Sequence, residues 1–344
     1  MKKGRIVIVF IMFFLLSCTT KSLFDGRETL ITKFPQTLNL KGQRLNIEIL
    51  GVVDIDVIDT FLIAYTPLNS SFYCQVYSTN NYEYLGPFFP VGRGPAEFYA
   101  ISYERCDEVT LDGIKTWYAN SIQQYRWDIT ESILQRKTVV DSIIRKKEIL
   151  SNGIWLPGSD SMMLGFQRTS NNIQYIQYNG KKISENNIYP KKISKKILPL
   201  ASMEPYIKPD KSKIAYIGWS INYLCVFNTD FSDFQAISIY EKPISLHRVL
   251  QTKEEEHILF YSNNDVTNKY IYALYLNQPK KNRRYHTGNE EIHIFDWDAN
   301  PIMNIIIPEN IMFFTVDEKH KRLYGLTSDE KIYKYDLTEY LTVL

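Results

Sequence analysis

The residue types and spacings that could do chemistry fall in a few short stretches. In Val91-Gly92-Arg93-Gly94-Pro95-Ala96-Glu97-Phe98, two glycines bracket an arginine, and a proline, an acid and an aromatic follow. Gly92 and Gly94 can take positive φ and Pro95 fixes the next step, which holds Arg93 outward or across a tight loop. Glu97 is expected to accept backbone N–H bonds within that loop while Phe98 returns to the core. A phosphate cradle would need a following Lys-Ser/Thr and a helix N-terminus, and an acid and aromatics stand there instead. The stretch therefore reads as a structural turn, with Arg93 and Glu97 as candidate binding residues on it.

The other stretches narrow the chemistry further. Gly218-Trp219-Ser220-Ile221-Asn222 begins like a nucleophile elbow, but Asn222 stands where the second glycine belongs and the following Tyr-Leu-Cys-Val-Phe reads as strand. His247, His257, His286, His293 and His320 show no metal-ligand spacing, so each reads as a surface or satisfied core histidine and no metal or other cofactor is expected. No carboxylate pair for glycoside hydrolysis stands out, because Asp and Glu occur in nearly every turn. The most distinctive insertion is Gln278–Asn289, where Lys280, Lys281, Arg283 and Arg284 adjoin Tyr285. It reads either as a solvated loop or as a basic, aromatic rim for an acidic glycan, a lipid head group or a partner protein.

These residues must be positioned by strands. Tyr 25, Phe 18 and Trp 5 make the chain rich in residues that suit pleated, half-buried surfaces. Apolar runs of strand length are bounded by Asn, Asp, Gly, Ser and Pro. The best helical candidate, Ile129 to Ile149, could equally be two β segments joined by a turn. Cys74, Cys106 and Cys225 are odd in number, widely spaced and set among strand-like residues, and they read as buried thiols.

The first 17 residues read as a secretory signal, with Lys2, Lys3 and Arg5 ahead of an apolar run from Ile6 to Leu16 that is too short to span a bilayer. Without them, 37 basic residues face 38 acids, so no global positive field draws the chain to nucleic acid. Leu15-Leu16-Ser17-Cys18 resembles the bacterial lipoprotein signal. That resemblance implies that Cys18 becomes the first mature residue and carries lipid, with residues 18–29 as a tether. Neither an aspartate directly after Cys18 nor an acidic cluster follows, which points to the outer membrane facing the periplasm, with the cell surface as the alternative.

Six weakly similar units follow one another at intervals of roughly 45 to 60 residues: 53–78, 107–129, 159–180, 208–230, 254–276 and 316–337. Each offers two obvious inner strands, and segments such as Glu-Tyr-Leu-Gly-Pro-Phe (83–88) could supply outer ones. The expected fold is all-β: a six-bladed β-propeller over residues 30–344, with four-stranded antiparallel blades and a ring closed by N- and C-terminal strands, which hides the sheet edges. The turn in Thr110–Trp117 resembles the Asp-box of sialidase-type propellers but departs from it, because Asp112 and Gly113 are adjacent.

From about residue 30 to the end, the chain resembles the TolB-like six-bladed propeller-like proteins found as bacterial lipoproteins. The resemblance rests on VGRGPAEF after the first unit, and on EIHIFDWDANPIMNIII (291–307) followed by VDEKHKRLYGL (316–326). It implies export and a propeller and little about chemistry. The favoured function is a non-enzymatic binding or scaffolding module for a protein, peptide or glycan of the envelope. The alternative is a carbohydrate-active enzyme whose site is assembled across blades.

Overall fold

The computed structural model describes residues 23–340 except 26, 69–70, 104–106, 121, 146–152, 160–161, 179–182, 242–248 and 286–287. Cys18, Cys106, His247 and His286 lie outside the described residues.

Three short strands come first: β1 (Thr29–Ile31), β2 (Thr37–Asn39) and β3 (Gln43–Arg44). Blade one is the antiparallel series β4 (Asp54–Ile58), β5 (Phe61–Tyr65), β6 (Phe72–Ser78) and β7 (Tyr84–Pro90). In blade two the innermost strand is broken into β8 (Ser102–Tyr103) and β9 (Glu108–Thr110), both paired with β10 (Gly113–Ala119). It continues with β11 (Gln123–Asp128), the helix α1 (Ile129–Gln135) and β12 (Val140–Arg145). Within the 129–149 segment, the described residues 129–145 are thus one short helix and one strand. Asp128 caps the helix by accepting from Glu131 N–H, and Arg136 in the left-handed region ends it.

Blade three holds β13 (Gly153–Ser159), β14 (Met162–Arg168), β15 (Ile173–Tyr178) and β16 (Ile183–Asn187). Blade four holds β17 (Met203–Ile207), β18 (Lys213–Gly218), β19 (Leu224–Asn228) and β20 (Gln235–Ile239). Blade five holds β21 (Ile258–Val266), β22 (Tyr270–Pro279), β23 (Glu290–Asp296) and β24 (Pro301–Ile307). Blade six holds β25 (Ile311–Asp317), β26 (Arg322–Thr327) and β27 (Ile332–Asp336).

The N-terminal strands do more than complete one blade. β3 pairs antiparallel with β27 and supplies the fourth strand of blade six, which closes the ring. β1 and β2 instead add parallel fifth strands outside β20 and β24, so the chain start wraps the rim of blades four, five and six. The folded domain also begins earlier than residue 30. Phe24 is buried among Tyr189, Tyr223 and Phe234, with ring centroids 5.4, 5.0 and 5.8 Å away.

Neighbouring blades pack through apolar clusters, and at the axis they are joined by polar side chains that satisfy exposed strand edges. Asn263 and Asp265 of blade five accept from Phe314 N–H and Val316 N–H of blade six, at 2.9 and 2.7 Å. Thr315 of blade six in turn accepts from Val57 N–H of blade one at 3.2 Å and donates to Asp56 at 2.9 Å. The sequence units at 159–180, 208–230 and 316–337 mark second and third strands, whereas 53–78 and 254–276 also take in the innermost strands β4 and β21 despite their polar residues.

Candidate functional site

In a blade whose strands alternate in direction, the turns joining second to third strands and the crossings to the next blade emerge on the same face. Fourteen large apolar side chains are exposed among the described residues, and eight sit on this loop face. Leu68, Ile122 and Trp219 occupy second-to-third turns, Leu50, Tyr99 and Leu250 occupy blade crossings, and Val91 and Tyr240 stand at the starts of crossings. Exposed apolar groups that share one end of a rigid scaffold make that end the candidate interaction surface.

The VGRGPAEF stretch is the crossing from β7 to blade two. Glu97 accepts from Gly94 N–H at 2.7 Å, while Gly92 N–H reaches Phe98 O at 2.9 Å. Neither Gly92 nor Gly94 has positive φ, contrary to the expectation. The glycine requirement is one of space: a Cβ on Gly92 would lie 1.9 Å from the Glu97 carboxylate. Phe98 packs edge-on to Phe89 and Tyr125, and exposed Arg93 lies across the Tyr99 ring at 4.7 Å. Arg93 and Tyr99 together form a cationic, aromatic corner of the loop face.

The basic rim expected from Gln278–Asn289 is largely neutralised. Lys280 and Lys281 pair with Glu254 and Glu256 of the neighbouring crossing at 2.5 and 2.6 Å. Arg283 is not a rim residue: it is 9% exposed, pairs with buried Glu290 at 3.4 Å and donates to Ser262, Ile311 O and Met312 O. Burial lowers its guanidinium from its ordinary value, and the Glu290 carboxylate opposes that shift. Arg284 and Tyr285 follow on the same 3-10 turn, Lys280–Tyr285; their side chains lie outside the described residues.

Sequence reasoning missed a polar corner between blades four and five. Tyr240 leaves β20 with φ 61°, a strained value for an aromatic residue, and is 37% exposed. Its hydroxyl lies 3.4 Å from the Glu291 carboxylate, which also accepts from Asn304 at 2.8 Å. Fully buried His293 connects to the same carboxylate through Nε2 at 3.3 Å and to the Tyr261 hydroxyl through Nδ1 at 3.3 Å. These partners fit a neutral imidazole with Nε2 donating and Nδ1 accepting.

Burial among Phe34, Tyr275 and Tyr261 pulls the His293 pKa down, while the His293 hydrogen bond holds Glu291 below the usual carboxylate range. Desolvation pushes the Tyr240 phenol up to about 12, so it stays protonated at neutral pH. Beside this set, the buried Tyr275 hydroxyl and Asn304 Oδ1 have no hydrogen-bond partner among the described residues. The alternation Glu291-Ile-His293 within a strand is the only signal that could have found this corner, and it is indistinguishable in sequence from core packing.

Trp219–Asn222 is a strand-to-strand turn, which rules out a nucleophile elbow there. Gly218 is needed because a Cβ would meet Ile221 O at 2.3 Å. Cys74 and Cys225 are free, buried thiols, as expected. The described residues contain no cluster of three potential metal ligands.

The family described as TolB-like 6-blade propeller-like matches residues 51–319. The chain belongs to that family. Among solved structures, this TolB-like chain is similar to a protein described as exported from Bacteroides fragilis NCTC 9343, at 11% identity and TM-score 0.52, covering 89% of this chain and 99% of that one. It is also similar to a DUF4221 family member from Bacteroides vulgatus ATCC 8482, at 12% identity and TM-score 0.50, covering 89% and 93%. At such identities the likeness speaks to the fold alone. No curated protein matches the sequence.

Proposed function

We propose that this TolB-like propeller is an exported, lipid-anchored binding module that holds a protein, peptide or glycan of the envelope on its loop face. The carrying observation is that eight of the fourteen exposed large apolar side chains among the described residues lie on that face, among them Trp219 and Tyr99, whose ring carries the Arg93 guanidinium. Residues 1–17 as an export signal, Cys18 as the lipid site, the outer membrane facing the periplasm as the location, and the exported description of one similar structure complete the reading.

A second reading, a carbohydrate-active enzyme, is favoured by one arrangement: Tyr240 from blade four meets Glu291 and His293 from blade five across a blade boundary. The protonation states favour binding, since an ionised carboxylate, a protonated phenol and a neutral, fully buried imidazole leave no acid poised near neutrality.

Affinity capture of the lipidated protein from gently solubilised membranes, with a Tyr99→Ala/Trp219→Ala variant and a Leu111→Ala/Leu134→Ala variant from the opposite face alongside, tests the proposal. A stoichiometric ligand lost only from the first variant is expected. Equal retention by both variants would remove the loop face from consideration, and turnover of a glycan by the wild-type chain would favour the enzyme.

A further inference from the structure

We infer that the lysine-rich crossing between blades three and four is a membrane-facing patch that docks on anionic phospholipid head groups; this rests on the reading of Cys18 as the lipid site. Lys191, Lys192, Lys195 and Lys196 are all exposed, whereas Ile193, Ile197 and Leu198 between and after them are buried. The crossing is therefore not a loose solvated loop: its apolar residues pin it to the body and leave the four ammonium groups outside.

Side-chain hydrogen bonds fix it further. Asn172 donates to Tyr189 O at 2.9 Å and accepts from Tyr189 N–H at 3.2 Å, and Ile193 N–H reaches Asn171 O at 2.7 Å. Lys192, Lys195 and Lys196 form no ion pair among the described residues. Exposed Arg168 reaches the end of the same crossing by donating to Ser202 at 2.9 Å, adding a fifth cation.

The chain start is bound to this same crossing. Phe24 packs on Tyr189, two residues before Lys191, and Asp25 pairs with Lys191 at 2.5 Å. From Cys18 to Phe24 the chain has six Cα steps, which at full extension span at most about 20 Å. A lipid on Cys18 thus keeps this crossing on a short tether, from which the lysines can come within the single Debye length, about 8–10 Å, over which anionic head groups attract them. The lipid supplies retention and the lysines supply orientation, turning the junction of blades three and four toward the bilayer.

The test uses the full lipidated protein, reconstituted in phosphatidylcholine vesicles with or without an equal part of phosphatidylglycerol. An amine-reactive acetylating reagent is applied and modification is read by peptide mass spectrometry. Exposed Lys41 and Lys269, on the rim and turns of other blades, serve as references. Lys192, Lys195 and Lys196 are expected to react about fivefold more slowly than the references in the anionic vesicles, on the scale of one cation's attraction to such a surface, and to regain their reactivity in high salt or in phosphatidylcholine alone.

Equal reactivity of loop and reference lysines in anionic vesicles, with lipid mass confirmed on the Cys18 peptide, overturns the patch while leaving the anchor intact. Absence of lipid mass on that peptide overturns the anchor and the patch with it.

Discussion

At the scale of single residues, the parts of the site visible in the sequence are those whose role is local. Glu97 closes its own loop and Phe98 returns to the core, as the turn chemistry of VGRGPAEF implies. Glycine chemistry was legible as a requirement but not as its cause, since the folded-back carboxylate of Glu97, five residues on in sequence, sets the demand at Gly92. His293 was legible only as a strand residue, because beyond Glu291 on its own strand its partners are Tyr261 on β21 and Tyr240 on the crossing from blade four. Its titration has a measurable consequence. Burial holds the folded-state pKa of His293 below its ordinary value near 6.5, so the unfolded chain binds a proton that the folded chain refuses, and stability falls as pH drops below that value. Glu291, held low by the His293 hydrogen bond, adds a loss of the same sign at still lower pH. Unfolding free energies from urea titrations at about pH 7.5 and 5.5 should separate more for the wild type than for His293→Gln, by up to about 1 kcal/mol. Equal separation would show that His293 does not carry the titration.

At the scale of elements, the same logic explains which predicted residues were misplaced. Arg283 sits in a run of four basic residues within five positions, which reads as a solvated or ligand-touching loop. Folding puts its guanidinium under the innermost strands of blades five and six, where Glu290, Ser262 and two carbonyls receive it. No periodicity in a single stretch foretells contacts with residues that far along the chain. Removing Arg283 breaks its ion pair with buried Glu290 and its hydrogen bonds to Ile311 O and Met312 O, so Arg283→Ala should cost about 3 kcal/mol, whereas Arg93→Ala on the exposed loop should cost under about 0.5 kcal/mol. Thermal unfolding of the two variants checks this, and similar midpoints would contradict the placement of Arg283. Second and third strands were legible because both of their faces pack against neighbouring blades; the innermost strands β4 and β21 fell inside the repeat units as well, whereas β25, whose Thr315 bonds across to Val57 N–H and Asp56 of blade one, did not.

At the scale of the whole molecule, six units in sequence did foretell six blades, and closure by the two ends followed from the need to hide edges. The route of the chain start was not legible, because β1 and β2 are three-residue strands with no pattern of their own and their partners lie about 200 and 270 residues away. Deleting residues 23–44 would uncover Tyr189 and Tyr223, strip the outer strands from blades four and five, and reopen blade six. The expected product binds a hydrophobic dye and lacks a cooperative unfolding transition; a cooperative, dye-silent domain would show that the wrap is dispensable.

The wrapped start also determines how a pull on the chain would travel. Tension applied upstream of Leu23 meets Phe24 first, then the β1 pairing, then the β2 pairing, and only afterwards β3, the strand that closes the ring. The rim behaves as a sequence of sacrificial fastenings, so a drag on that end of the chain would loosen its outermost strands before it could open the propeller.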